Sequence, residues 1–484
     1  MKNIIYIVLA FVIFSCKPKF DEIETTGGEV DFSRYVAIGN SLTAGYADGT
    51  LYKSGQENSY PSMLAEQFKT VNSGLVFTQP LMADDNGGFH FDPKGFPVKR
   101  VLGYATDCTG KSSLGPVLAT SSAPNPANFN NIGASGPYQN MGVPGARVGH
   151  LLYSGYGNAA GLTTSPATAN PYYVRFASSP NASILEDAMT SNPSFFTLWI
   201  GNNDVLLHAT RGAADPSEPL TSFSDFKAAY EAVISRLVSG GAKGAIANIP
   251  DITSIPFFTT VGWNALDIDS YTADNLNIIF GNVADIASAK YGAAIGEQYR
   301  IKYRAGKNGF LMEVPKTASN PLGFRQLKEG EFIVLTVNQN AMKCSGYGSF
   351  NSARWGFSSN PDSLLVAVNP LKNYDVLDES EIYAIRTATT GFNSVIAEAA
   401  SRHGLALVDM YSFMATIKDQ GIMYDGVNYT PRFVLGGAFS LDGVHLTPRG
   451  YAIVANKFIS TINSNFEAKI PQVSVNNFPG IAMP

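Results

Sequence analysis

Tyr35-Val36-Ala37-Ile38-Gly39-Asn40-Ser41-Leu42 is the stretch on which the fold turns. Its apolar, partly β-branched run reads as a buried strand, and the Gly-Asn pair after it delivers a serine into a turn. A helix follows over residues 60–68, with Pro61 in its first turn and Met63, Leu64 and Phe68 on one face. Asn140-Met141-Gly142-Val143-Pro144-Gly145 resumes regular structure, with a helix near residues 148–152. Ser194-Phe195-Phe196-Thr197-Leu198-Trp199-Ile200 is a continuous apolar run stopped by Gly201, as in a central strand buried on both faces. Helical spacing over residues 224–238 comes next, with Ser222 or Ser224 available as N-cap. A strand is expected at 243–249, a helix at 380–403 ending on Gly404, a strand at 405–410 and a closing helix at 448–462. Strands alternating with helices predict an α/β fold with a mostly parallel sheet covered on both faces. Active sites of such sheets sit at the carboxyl ends of the strands.

The polar residues with chemical potential fall at those ends. Ser41 follows the first strand, Gly145 the second and Asn203-Asp204 the third, while Asp442-Gly443-Val444-His445 precedes the last helix. A serine hydroxyl becomes a useful nucleophile when an imidazole takes its proton and a carboxylate fixes that imidazole's tautomer. Asp442 lies within one turn of His445 and can do this. The backbone N–H groups of Ser41 and Gly145 and the side-chain amide of Asn203 can supply an oxyanion hole. The other histidines, His90, His150, His208 and His403, have no acidic residue three positions upstream. They are expected to be structural or surface residues, with His150 and His208 as pocket candidates because they trail two of these blocks. Trp199, inside a strand pattern, is expected in the core.

Gly39-Asn40-Ser41-Leu42, Asn140-x-x-x-x-Gly145, Gly201-x-Asn203-Asp204 and Asp442-x-x-His445 resemble, in order, the four signature blocks of the SGNH (GDSL) hydrolase superfamily. Each block alone is common; four in the right order are specific. The resemblance covers about residues 33–464, interrupted by insertions. It implies a flavodoxin-like three-layer α/β/α sandwich, ester hydrolysis through an acyl-enzyme, no metal or other cofactor, and a wide substrate range. Ser41, Asp442 and His445 would form the triad, with Ser41, Gly145 and Asn203 as oxyanion donors. Asn40 departs from the aspartate of the family name; that position supports the turn and does not react, so only fine positioning is in question.

The N-terminus sets the compartment. Lys2 and the apolar run over residues 4–14 read as a signal peptide covering residues 1–15; the run is too short for a bilayer, which takes ~20 apolar residues. It ends at Ser15-Cys16, which resembles a bacterial lipoprotein processing site, although Phe14 stands where a smaller residue is commoner. Lipidation of Cys16 would anchor the protein to a membrane surface, with residues 16–30 as a polar tether. Lys17-Pro18-Lys19-Phe20-Asp21-Glu22 points to outer-membrane sorting. Ordinary secretion and an uncleaved anchor are the alternatives.

The acidic balance, 39 Asp and Glu against 34 Lys and Arg, together with the lack of a basic cluster, argues against nucleic acid as a partner. Cys108 and Cys344 remain after Cys16 and could form a disulfide or stay as separate buried thiols. One catalytic domain is expected over residues 31–465, followed by a tail at 466–484. Insertions at about 70–137 and 253–375 would wall or cover the serine and select the substrate. The first holds Asp84-Asp85-Asn86-Gly87-Gly88, read as a hairpin turn in preference to a calcium loop; the second holds a strand-like Phe332-Ile333-Val334-Leu335. The expected protein is a monomeric carboxylester hydrolase of lipid-like or acylated substrates at the cell envelope. A deacetylase of acetylated polysaccharide and a non-catalytic surface binding lipoprotein are the competing readings.

Overall fold

A computed structural model describes residues 24–92, 94–356 and 362–484; the expected signal peptide over residues 1–15 and Cys16 lie outside the described residues. Strands β1 (Tyr35–Gly39), β2 (Asn140–Gly142), β3 (Phe195–Trp199), β4 (Lys243–Ala247) and β5 (Ala406–Val408) form one sheet in the order β2-β1-β3-β4-β5. All neighbouring pairs are parallel. This is the flavodoxin-like order. Connections leave β1 and β3 in opposite directions, so the crevice at their carboxyl ends is the natural ligand site.

β1 and β3 are buried along their whole length, which is why they read as unbroken apolar runs. Thr197 is the polar exception, and its hydroxyl shares a 2.8 Å hydrogen bond with the hydroxyl of Tyr35 on the next strand. Helices α1 (Ser41–Ala44), α2 (Tyr60–Phe68), α3 (Asn202–Ala209), α4 (Phe223–Val238), α5 (Ser270–Tyr291), α6 (Glu379–His403), α7 (Met410–Gln420) and α8 (Pro448–Phe466) follow in chain order. In one layer Tyr60 of α2 stacks on Phe458 of α8 with ring centroids 5.0 Å apart. In the other, Phe226 of α4 stacks on Phe392 of α6 at 4.0 Å. Such aromatic pairs contribute ~0.5–1.5 kcal/mol beyond the area they bury.

Local chemistry sets the boundaries. Ser222 caps α4 by accepting the Asp225 N–H at 3.1 Å, and Gly404 closes α6 in the left-handed region, at φ 60°. Several boundaries differ from expectation, and α8 runs on to Phe466 where an end at residue 462 is expected. β4 stops at Ala247, and Met410, read from sequence as a strand end, opens α7. The Asp409 carboxylate accepts the Ser412 N–H at 3.1 Å, and this cap starts a helix where the apolar run suggested more strand.

The segment between α2 and β2 is mostly irregular but carries a ribbon pairing Arg100–Thr106 with Ser112–Leu118. Residues 84–88 form a bend with no flanking strands, in place of the expected hairpin turn. The Asp84 carboxylate accepts the N–H groups of Asn86 and Gly87 at 3.0 and 2.9 Å, which satisfies the backbone locally without a ladder. The segment after β4 contains α5 and two apolar clusters of its own, one around Phe280 and Phe324 and one around Met312 and Leu371. Its strand-like run shrinks to Phe332–Ile333, paired with Val376–Leu377. Cys108 and Cys344 form a disulfide that joins the tip of the ribbon to a helix at Gln339–Cys344, so the two insertions are covalently linked. Asp107 and Lys343 form an ion pair beside it.

α8 runs from the active-site end of the sheet to the opposite end, a length of ~28 Å at 1.5 Å per residue. There Glu29 N–H donates to Phe466 O, and Lys469 N–H to Thr26 O, both at 2.9 Å. The described N-terminus thus enters the domain at the end far from Ser41. The residues after α8 fold back, burying Ile470 and Val475. Among the described residues no helix is long and apolar enough to cross a membrane.

Candidate active site

The crevice between β1 and β3 is where the nucleophile candidate stands. β1 ends at Gly39, where a Cβ would lie 2.2 Å from Thr43 Oγ1 and 2.4 Å from Trp199 O, so only glycine lets the chain turn there. Asn40 caps α1 through its Oδ1, which accepts the Leu42 N–H at 3.0 Å, while its Nδ2 donates to Asn202 Oδ1 at 3.2 Å. Asn40 therefore supports the turn and ties it to the start of α3. Ser41, the first residue of α1, is held at the helix N-terminus with its hydroxyl facing the crevice.

His445 Nε2 lies 2.8 Å from Ser41 Oγ, and His445 Nδ1 lies 2.8 Å from Asp442 Oδ2. Residues more than four hundred positions apart thus form one hydrogen-bonded chain. Asp442 Oδ1 also accepts the N–H groups of Val444 and His445, each at 2.8 Å, an arrangement that requires the bend at Gly443, whose φ is 73°. Burial acts to raise the Asp442 pKa. The charge of His445 and the donors aimed at the carboxylate outweigh it and hold the group well below the usual carboxylate range.

The opposite wall carries the oxyanion candidates. Gly145 has φ 82°, and among the described residues neither its N–H nor that of Ser41 finds a protein acceptor. Asn203, in the first turn of α3, is buried. Its Nδ2 donates to Ala146 O at 2.9 Å, leaving the second amide hydrogen free. The neighbouring Asp204 accepts the Val148 N–H at 3.0 Å, so two consecutive side chains of α3 hold the loop that carries Gly145. Burial pushes the Asp204 carboxyl up to about 6, and among the described residues its Oδ1 finds no hydrogen-bond partner.

Ser41, Asn203 and His445 open onto one cavity of about 90 Å³, several times the ~10–15 Å³ that a single water requires. Away from the serine its walls are apolar. α7 contributes Met410, Phe413, Met414 and Ile417, α8 contributes Ile453 and Val454, and Ile252 and Ile255 close one side. Trp199 lines the cavity as well as the core, with its Nε1 donating to Asn248 O at 3.2 Å. Sequence reading missed α7 as a functional element. Its signal was available, because residues 410, 413, 414 and 417 have the i, i+3, i+4, i+7 spacing of one helix face. The pocket candidates His150 and His208 do not line the cavity. His150 accepts the Arg147 N–H and stacks on Tyr156, with burial lowering its pKa to about 4; His208 bonds Glu218 O at 3.0 Å. Among the described residues no cluster of three or more His, Cys, Asp or Glu could hold a metal ion.

No curated protein matches the chain. The family model described as GDSL-like Lipase/Acylhydrolase matches residues 35–301, a span that contains Ser41, Gly145 and Asn203 and ends before Asp442 and His445. Covering more than half of the chain and agreeing with the strand order around the Ser41 crevice, this match shows that the chain belongs to the GDSL-like lipase/acylhydrolase family.

Proposed function

We propose that this family member is a serine carboxylester hydrolase working through an acyl-enzyme on esters with an apolar acyl group. Ester hydrolysis is the family's chemistry; the residue roles and the acyl preference are the proposal. Ser41 Oγ attacks the ester carbonyl while His445 Nε2 takes its proton, and Asp442 holds the ring through Nδ1. The oxyanion receives hydrogen bonds from the N–H groups of Ser41 and Gly145 and from the free amide hydrogen of Asn203. Collapse of the intermediate returns the proton from His445 to the departing alcohol, and water repeats the sequence to release the acid.

The observation that carries this reading is the chain Asp442–His445–Ser41, with 2.8 Å at both links. The apolar cavity beside Ser41 favours an alkyl chain over a bare acetyl group, which would leave most of it empty. We further place the enzyme at the cell envelope, as a monomer held by a lipid on Cys16 with outer-membrane sorting. Entry of the chain at the end far from Ser41 would leave the cavity mouth clear of such an anchor.

A fluorophosphonate is expected to form an adduct on Ser41 of the folded protein, and Ser41→Ala is expected to lose ~10⁴- to 10⁶-fold in turnover of p-nitrophenyl esters. Retained turnover in that variant would end the assignment, and absence of an adduct would favour a binding protein on the same fold. In a panel of esters of increasing acyl length beside acetylated sugars, kcat/KM is expected to rise with acyl length; a preference for the acetylated sugars would overturn the apolar-acyl reading.

A further inference from the structure

Shortly beyond Ser41 the chain makes a tight turn, Ala47-Asp48-Gly49-Thr50. Ala47 and Thr50 exchange backbone hydrogen bonds of 3.2 and 3.1 Å, and the two central residues have φ 54° and 85°. Positive φ at both central positions is what a two-residue hairpin turn of the primed type needs, and Asp-Gly is among the pairs that supply it. Such a turn sends consecutive N–H groups outward, and here both meet the Asp442 loop. Asp48 N–H donates to Ser440 Oγ at 2.9 Å, and the Ser440 hydroxyl donates to Asp442 Oδ1 at 3.1 Å. Gly49 N–H donates to Asp442 Oδ2 at 3.0 Å, the same oxygen that holds His445 Nδ1. The Asp48 side chain adds a third tie: Oδ1 accepts the Leu441 N–H at 3.0 Å, and Oδ2 accepts the Tyr52 hydroxyl at 2.8 Å. On its other side the turn is fixed to the nucleophile, since Tyr46 N–H donates to Ser41 O at 3.0 Å.

We infer that the Asp48-Gly49 turn is a positioning element for the reaction, holding the Asp442 carboxylate in register with Ser41, with Asp48 as its key positioning residue. This rests on the reading of Ser41, His445 and Asp442 as the catalytic chain. Among the described residues the other backbone bonds of residues 440–445 are Ser440 N–H to His445 O, Gly443 N–H to Ser440 O and Phe257 N–H to Gly443 O. The first two are internal to the loop and the third leads to Phe257, so none of them refers Asp442 to the serine. The turn does so directly. Its residues are not proposed to touch substrate. They act by fixing which way the carboxylate faces, and a displacement of ~1 Å at such a group can cost on the order of 10²-fold in rate.

The experiment compares Asp48→Ala and Asp48→Asn with the parent enzyme, using a p-nitrophenyl ester for kcat and KM and a fluorophosphonate for the rate of Ser41 labelling. The amide of asparagine can still accept the Leu441 N–H, whereas alanine cannot. Asp48→Ala is expected to lower kcat roughly 10- to 100-fold, with KM within about twofold and labelling slowed in parallel. Asp48→Asn is expected to restore kcat to within about threefold of the parent. Unchanged kcat in Asp48→Ala beside an active parent would overturn the inference and leave the catalytic chain standing, as would Asp48→Asn failing as badly as alanine. Should Asp48→Ala not fold, Ser440→Ala removes only the relaying hydroxyl. Its kcat is expected to fall roughly 3- to 10-fold at constant KM, and an unchanged kcat there overturns the inference. A parent that neither turns over ester nor takes up the fluorophosphonate ends the catalytic reading and this inference with it.

Discussion

The two walls of the Ser41 crevice are built differently. On the acid–base side every polar group is engaged: Asp442 accepts from His445 Nδ1, Gly49 N–H, Ser440 Oγ and the N–H groups of Val444 and His445. On the side of the oxyanion candidates donors are unspent among the described residues, at Ser41 N–H, Gly145 N–H and one hydrogen of Asn203. In the proposed mechanism the difference follows from when charge is present. A carboxylate that is ionised in the resting enzyme must have its hydrogen bonds in place at all times. Donors reserved for a charge that develops during the reaction must be left empty beforehand, and their worth lies in being fixed in advance.

Substitutions on either wall test this difference. The largest effect is expected at the engaged wall, where Asp442→Asn leaves the shape intact but disrupts the tautomer of His445; kcat should fall by ~10⁴, and steady-state kinetics showing less than a tenfold loss would remove Asp442 from its role. Next comes the unspent wall. Asn203→Ala withdraws one of three donors and should cost ~10²- to 10³-fold in kcat with little change in KM. Because Asn203 also holds Ala146, a loss confined to KM would mean that it only supports the loop.

The smallest effect concerns Asp204, and it is read in stability. Its carboxyl is pushed up by burial to about 6, above the ordinary ~3.9 of the unfolded chain. The group therefore favours folding at low pH, and this contribution is lost as pH rises through 4 to 6. Asp204→Asn does not titrate. Its stability relative to the parent should improve between pH 4 and pH 7 by about 2–3 kcal/mol, measured by denaturant unfolding across that range. A difference that does not change with pH would show that Asp204 titrates in the folded protein as it does in the unfolded chain, and so is not shifted by burial.

Much of this was legible in the sequence because three of the four signature blocks begin or follow strands of the sheet, where local pattern is strongest. The apolar run before Ser41 and the one before Gly201 both became central parallel strands, since burial on two faces leaves a continuous hydrophobic signature. Asp442 and His445 could be paired from their spacing alone, because the contact is local. The boundary at Met410 was less legible: a run of apolar residues does not say whether it continues as strand or turns into helix, and the Asp409 cap decided it.

The alternation of strands and helices, the residue types of the proposed catalytic chain and the short-range Asp442–His445 pair were thus written in the sequence. Each depends on neighbours a few positions apart. Only the tertiary structure decided that Cys108 and Cys344 are joined, that α7 and α8 enclose an apolar cavity beside Ser41, and that the Asp48-Gly49 turn grips the Asp442 loop. These contacts bring together segments hundreds of residues apart. Nothing local encodes them, because they exist only once burial of the core has set the distances between elements.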